Sequence, residues 1–360
     1  PVTNQFQNET FKSFSAGANS NITLFNGLAN WKTLQRTKLN KIANSYRLDK
    51  MKDDIALSVA NSYLQILFNK EQLKVQKNQN LVTKENIKRT QELIEAGTLP
   101  AGDIYELQAT DATQQQQIIS TENALLISKI ALCQTLLLEE YATFDISDEI
   151  IDLPMSNVTN ETQEAILTKA KESVKDVKIA MSNVDIAKKD VSISRSSYLP
   201  TLSGFFGYNT RWAESTPFNF ADQLSLFDGT AIGLQLNVPI LNGFATRGRV
   251  QRAKINQERS EFQLKQAELD LERNVYQAYN DVINAKKSFE AAQKTLEARK
   301  QSFNFSKERF DVGLMNSFDF SQASFAYENA QSDVLRTKYD YIFRTKILEF
   351  YFGIPLIKKQ

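Results

Sequence analysis

The 360-residue chain has no histidine, one cysteine (Cys133), 12 glycines, 7 prolines and almost no net charge, with 43 Lys and Arg against 42 Asp and Glu. Each scarcity excludes something. Without histidine there is no Ser-His-Asp triad, and zinc sites of the Cys/His type lack their ligands. A formal charge of +1 is not the basic footprint that non-specific nucleic-acid binding requires. No stretch approaches the 18 consecutive apolar residues of a transmembrane helix. A lone cysteine offers no disulfide framework. What remains, 42% hydrophobic and 24% charged residues, is the composition of a folded chain. No motif for catalysis, a metal or a cofactor is present, and none of the three is expected.

The few glycines and prolines are clustered. Residues 28–96, 103–153, 155–199 and 249–312 contain neither. Because these residues punctuate secondary structure, the gaps predict very long helices. At about 1.5 Å per residue, the longest gap corresponds to roughly 100 Å. Val275, Val282, Phe289, Leu296, Phe303 and Phe310 recur every seven residues, with Ala278, Ala285 and Ala292 beside the first three. A second register runs through Phe320, Tyr327, Val334, Tyr341 and Leu348. Heptads of this kind supercoil packed helices, in a tube or in an ordinary antiparallel hairpin.

The chain also repeats itself. At a constant shift of 216 residues, Gly17, Asn21, Asn26, Gly27, Gln35 and Arg36 match Gly233, Asn237, Asn242, Gly243, Gln251 and Arg252. Further along, Tyr63, Gly97, Asp103 and Leu132 match Tyr279, Gly313, Asp319 and Leu348. The heptad carries over as Val59, Ile66, Leu73, Asn80, Ile87 and Ile94, with Asn80 a polar intruder. Two copies of one structural unit are expected. The first covers 1–141 (strand about 11–24, helices about 27–95 and 102–141). A connector at 142–160, with Asp145, Asp148, Glu149, Asp152 and Pro154, reads as a solvated acidic loop. The second copy covers 161–360, with a helix at 161–197, strands at 199–212 and 228–241, and helices at about 243–311 and 318–352. The helix and strand at 161–212 have no counterpart in the first copy. On that ground roughly 50–60 residues are expected to precede Pro1.

The strands alternate. Leu202, Gly204, Phe206, Tyr208, Thr210 and Trp212 stand against Ser203, Phe205, Gly207, Asn209 and Arg211; Ile232, Leu234, Leu236, Val238 and Ile240 stand against Gly233, Gln235 and Asn237. Phe14, Ala16, Ala18, Ser20, Ile22 and Leu24 do the same in the first copy. Each run is about ten residues, the length of a tilted membrane strand, although a soluble sandwich would also use the pattern.

Ile240-Leu241-Asn242-Gly243, Leu24-Phe25-Asn26-Gly27, Tyr198-Leu199-Pro200 and Arg309-Phe310-Asp311-Val312-Gly313, followed by Asp319 and Gln322-Ala323, occur in a characteristic order. Together they resemble the TolC family of outer-membrane efflux proteins over nearly the whole chain. The resemblance implies a mainly α fold with membrane β: a long α-helical coiled-coil barrel, plus strands pooled by three protomers into a twelve-stranded β-barrel. Implied partners are two further copies of the chain, a periplasmic adaptor (membrane fusion) protein, an inner-membrane pump of RND, ABC or MFS type, and the lipid bilayer. The implied place is the Gram-negative outer membrane and periplasm. The implied activity is passive conduction in an efflux or type I secretion system.

Site residues follow from the same resemblance. The helix-to-helix turns at Ala96, Gly97, Thr98 and Leu99 and at Val312, Gly313 and Leu314 correspond to the adaptor-docking tips, and glycine there also ends a helix. Asn26, Gly27, Asn242, Gly243 and Pro200 mark the junctions between strands and helices. Asp103 and Asp319 sit where a carboxylate complements a helix dipole, worth about 0.3–1 kcal/mol. The resemblance adds a pore constriction at Asp319, Asp103, Gln322, Phe310 and Met315. Phe310, Met315 and Gln322 replace the family's Tyr, Arg and second Asp, which implies a hydrophobic constriction with one acidic ring in place of a salt-bridge lock. Trp31 is expected to pack at the junction of strand and helix, and Gln114-Gln115-Gln116-Gln117 to lie on an exposed helix surface. The competing reading is a soluble periplasmic coiled-coil adaptor.

Overall fold

A computed structural model describes residues 10–141, 143–147 and 157–354. In chain order these form β1 (Ser13–Asn26), α1 (Ala29–Glu95), α2 (Asp103–Thr135), a single 3-10 turn at Asn157–Asn160, α3 (Gln163–Ser173), α4 (Lys175–Ser196), β2 (Thr201–Ala213), α5 (Phe220–Leu226), β3 (Gly229–Asn237), α6 (Ala245–Asp311) and α7 (Ser317–Tyr351). Within the connector, only Asp145 of the acidic residues singled out above lies among the described residues; Asp148, Glu149, Asp152 and Pro154 fall outside them.

α1 and α6 are each 67 residues long, and both their first and last residues are related by the 216-residue shift. The left-handed backbone positions obey the same shift: Gly27 and Gly243, Leu28 and Phe244, Gly97 and Gly313, Leu137 and Gly353. The last four end α1, α6, α2 and α7 with one device. At Gly313, its own N–H donates to Phe310 O (3.0 Å) and that of Leu314 to Arg309 O (2.8 Å), which satisfies carbonyls the helix leaves bare.

Three boundaries differ from those read in the sequence. α2 stops at Thr135 and not near 141, because Leu137 adopts φ 55° and turns the chain. The helix expected over 161–197 is two helices, parted at Val174, whose ψ of 131° is extended. Beside it, the Ser173 hydroxyl donates to Tyr351 O (3.3 Å). β3 ends at Asn237, since Pro239 has no N–H to give a ladder. Helix α5 had no periodic signal in so short a segment.

The chain divides into two compact units. The first, 1–45 with 178–265, holds an antiparallel sheet of order β1-β2-β3. Register places Phe14 opposite Trp212, Ala18 opposite Tyr208, Ile22 opposite Gly204, Phe206 opposite Ile232 and Leu202 opposite Leu236. One face is therefore apolar and aromatic. The other carries Ser15 with Arg211, Asn19 with Gly207, and Thr23 with Ser203 and Gln235. Ile22, Ile232, Leu234 and Leu236 are all more than 60% exposed, so among the described residues this stretch of the apolar face covers no core. Among the described residues β1 and β3 each pair on one side only.

The second unit, 46–177 with 266–360, is helical. The heptad residues Val275, Val282, Phe289, Phe303 and Phe310 of α6 are buried, as are Phe320, Tyr341 and Leu348 of α7. Phe289 stacks on Tyr341 with ring centroids 6.4 Å apart. Leu64, Leu67, Tyr339 and Ile342 form a further cluster between α1 and α7.

Candidate functional site

At the strand-to-helix junctions of the first unit, the Asn26 amide bonds the Asn30 backbone N–H (3.2 Å) and side chain (2.8 Å), and the Asn242 amide donates to Thr246 Oγ1 (2.6 Å). Both asparagines thus start a helix after a left-handed glycine. The two glycines are not equivalent. A Cβ on Gly27 would lie 2.6 Å from Ser196 O and 2.8 Å from Leu199 Cβ, whereas one on Gly243 meets nothing within 4 Å. Pro200 follows the turn that closes α4, where Leu199 N–H donates to Ser196 O (3.0 Å). Trp31 is 59% exposed, so within one chain it does not pack at the junction as expected.

The two helix-to-helix turns lie in the second unit. Ala96, Gly97, Thr98, Val312, Gly313 and Leu314 are exposed and Leu99 is half-buried. No atom lies within 4 Å of a Cβ built on Gly97 or Gly313, so φ values of 75° and 74° are what call for glycine there. Sequence pattern gave no hint that Arg89 of α1 joins these turns: its guanidinium reaches Asp311 Oδ1 (3.0 Å) and Asp311 O (3.2 Å).

Among the residues expected at a constriction, the chain separates two groups. Phe310 is buried, stacked on Phe320 at 4.5 Å and clustered with Leu107 and Phe303; Met315 packs half-buried against that cluster. Both are packing residues, because the α6–α7 seam needs apolar groups where the helices converge. Asp319 and Gln322 remain exposed. Asp319 accepts from the Asn316 amide (3.0 Å) while its N–H donates to Asn316 Oδ1 (2.8 Å), which caps α7. Asp103, half-buried in the first turn of α2, has only Gly102 before it and no side-chain cap.

Close to these turns runs a polar seam among α1, α2 and α7. Gln79 donates to Ser324 (2.9 Å), Thr110 to Ser321 (3.4 Å), and Asn80 to Asp111 (2.6 Å) and Gln114 (3.3 Å). Gln114 in turn donates to Glu328 Oε1 (2.6 Å). Burial pushes the Glu328 carboxyl up to about 7, although bonds from Gln114, Ser324 and Gln79 pull the other way. Asn80 interrupts the heptad, and that interruption was the one visible signal of the seam. Gln114 was expected on an exposed surface; it is buried, and only Gln115, Gln116 and Gln117 face solvent. Farther along, Asp145 bonds Lys70 (2.8 Å) and Lys129 (3.1 Å), and these cations, Lys70 first, hold its carboxyl down to about 2.

No helix among the described residues is long and apolar enough to cross a membrane. The sheet is the part with a lipid-like face, and with long helices attached it defines a β-barrel and helix channel class of membrane protein. The outer membrane efflux protein family model matches residues 2–136 and 166–352, and the chain belongs to that family. Outer membrane protein TolC of Vibrio cholerae is 23% identical over 331 residues, 91% of this chain and 74% of that protein. Proteases secretion protein PrtF of Dickeya chrysanthemi is 25% identical over 245 residues, 67% of this chain and half of that protein. The open state of the Neisseria gonorrhoeae MtrE outer membrane channel superposes with a TM-score of 0.73 at 13% identity, covering 98% of this chain and 82% of MtrE. The protein is an outer-membrane channel and not an enzyme.

Proposed function

We propose that three copies of the chain close one twelve-stranded barrel in the outer membrane and act as the passive exit duct of a tripartite efflux or type I secretion system. One observation carries this reading: a three-stranded sheet that is apolar on one face and polar on the other, covered on its apolar face only by α5 at one end, and unpaired at both edges among the described residues. In hydrocarbon an open edge leaves N–H and C=O groups without partners, at a cost of several kcal/mol each, so the strands need neighbours. Twelve strands from three copies call for four per protomer, one more than the three described. The apolar face meets lipid and the polar face lines the lumen. The helices supply the periplasmic part of the conduit. The adaptor's helical tips seat on the turns at Ala96–Leu99 and Val312–Leu314, whose exposed Val312 and Leu314 offer apolar contact. An RND, ABC or MFS pump supplies the energy. Asp319 and Gln322 face the pore near those turns.

Detergent requirement and assembly state test this directly. Produced in a Gram-negative host, the protein should leave membranes only with detergent and run as a heat-sensitive trimer, about three times the monomer mass. A water-soluble monomer would favour the adaptor reading.

A further inference from the structure

The loop between β2 and β3 is built in a way that a plain barrel turn does not need. All three strands join their helices at one end of the sheet, through Asn26, Thr201 and Asn237; α5 lies at the opposite end. There β2 outruns β3 by four residues, since Asn209 pairs with Gly229 and nothing in β3 faces 210–213. α5 covers that gap. Gln223, 1% exposed, accepts from the Ala213 N–H (2.9 Å) and donates to Ala213 O (3.1 Å) as a neighbouring strand would. Its amide also donates to Phe218 O (2.6 Å), and Thr210 Oγ1 donates to Leu224 O (2.7 Å). Asn219 caps the helix.

The position of α5 relative to the two faces decides its surroundings. The Phe220 ring lies 5.6 Å from Phe14 and 5.7 Å from Trp212. Phe14 and Trp212 are register partners on the apolar face, in line with Ile22, Tyr208, Ile232 and Leu236. α5 therefore leans on the side of the sheet that the channel reading turns outward, not over the lumen. Phe14 (45%), Phe218 (50%) and Phe220 (48%) keep about half their surface open. From Leu202 to Trp212 the strand advances about 33 Å, or about 25 Å along the membrane normal at a tilt near 40°, which is the height of a barrel's apolar band. Phe14, Trp212 and Phe220 thus fall where acyl chains give way to headgroups, the depth aromatic rings favour.

Resting on the channel reading above, we infer that α5 with Phe14, Trp212, Phe218 and Phe220 is an external lipid-binding collar, seated in the boundary between acyl chains and headgroups of the outer leaflet. The occupant is lipid, because the collar continues the lipid-facing surface of β1–β3 without a break. Asn219 and Asp222 mark its aqueous side: Asn219 Nδ2 donates to Asp222 Oδ2 (2.6 Å), and both are exposed.

Depth measurements in vesicles test the collar on the full chain. In a Trp31→Phe variant reconstituted in phosphatidylcholine, Trp212 emission should be quenched at least twofold more by lipids brominated near the carbonyl than by lipids brominated near the chain end. Spin labels at Phe218→Cys, Asp222→Cys and Ile232→Cys, in a Cys133→Ala background, give the second measurement. The ratio of oxygen to nickel-chelate accessibility should be severalfold higher at 218 than at 222, and highest at 232. A label at 218 open to nickel, or shielded from both reagents by a neighbouring copy, would overturn the collar while a lipid-exposed 232 leaves the barrel standing. Nickel access at 232 would overturn both.

Discussion

Gly27 and Gly243 are the same residue in two copies of one motif, with φ of 64° and 59°, and yet their tolerance should differ. Alanine at Gly243 meets open space and pays only for a left-handed backbone, about 1–2 kcal/mol. Alanine at Gly27 adds a clash with Ser196 O, which calls for backbone movement. Thermal unfolding of the two single variants should show Gly27→Ala the worse, and equal midpoints would contradict the packing described here. Asp145 offers a second test at this scale. Its carboxyl is held below the ordinary value, so its contribution is present above pH about 4 and fades as pH falls toward about 2. With the side chain 54% exposed, the ion pairs are worth about 0.2–1 kcal/mol. Asp145→Asn should therefore speed proteolytic nicking near 143–147 by up to about fivefold at pH 7, with the difference from the parent shrinking as pH falls through about 2. Nothing in the spelling of either site announced these properties. Crowding around Gly27 comes from α4, more than 160 residues away, and the partners of Asp145 come from α1 and α2.

Between elements, the helical unit combines an aromatic seam with a polar one. Phe310→Ala empties a fully packed site where α6, α7 and α2 meet and should cost about 3–5 kcal/mol, read as loss of protection in hydrogen exchange across 303–327. The polar seam responds to pH. The groups facing Glu328 are uncharged: Gln114 of α2, Ser324 of α7 and Gln79 of α1, with the Asp111 carboxyl two hydrogen bonds beyond Gln114 through Asn80. A carboxyl raised to about 7 contributes most when protonated. Its contribution is complete below the unfolded value of 4.5 and is lost as pH rises through about 7. Exchange in 321–332, corrected for its intrinsic pH dependence, should increase by up to about tenfold per unit between pH 4.5 and about 7 and level off above that. Glu328→Gln should remove that increase; an unchanged slope would mean that Glu328 is already ionised in the folded seam. Asn80 was legible as a break in a heptad, but its partners Asp111 and Gln114 lie on α2, out of reach of any periodicity within α1.

For the whole molecule, the proposed trimer would multiply small features. Three copies of Asp319 around its pore would make a like-charge ring, and such rings favour cations. Asp319→Ala should therefore lower cation over anion selectivity in planar bilayers, and an unshifted reversal potential would take Asp319 out of the pore. Because Asn316 also caps α7 through this residue, Asp319→Asn is the useful companion: it keeps a hydrogen-bonding side chain and removes the charge.

Helix length, strand alternation and the 216-residue echo were readable in one dimension, because each is a local or periodic consequence of where Gly, Pro and apolar residues fall. They determined that long helices join short amphipathic strands, and the TolC-like turns named the family. Tertiary structure alone decided which residues at the turns pack and which stay free, so that Phe310 is core and Asp319 is surface. It also placed Gln223 on the bare edge of β2 and Phe220 on the apolar side of the sheet. Those outcomes depend on burial and on partners from distant elements, and free energies of contact are set only once the chain brings such elements together.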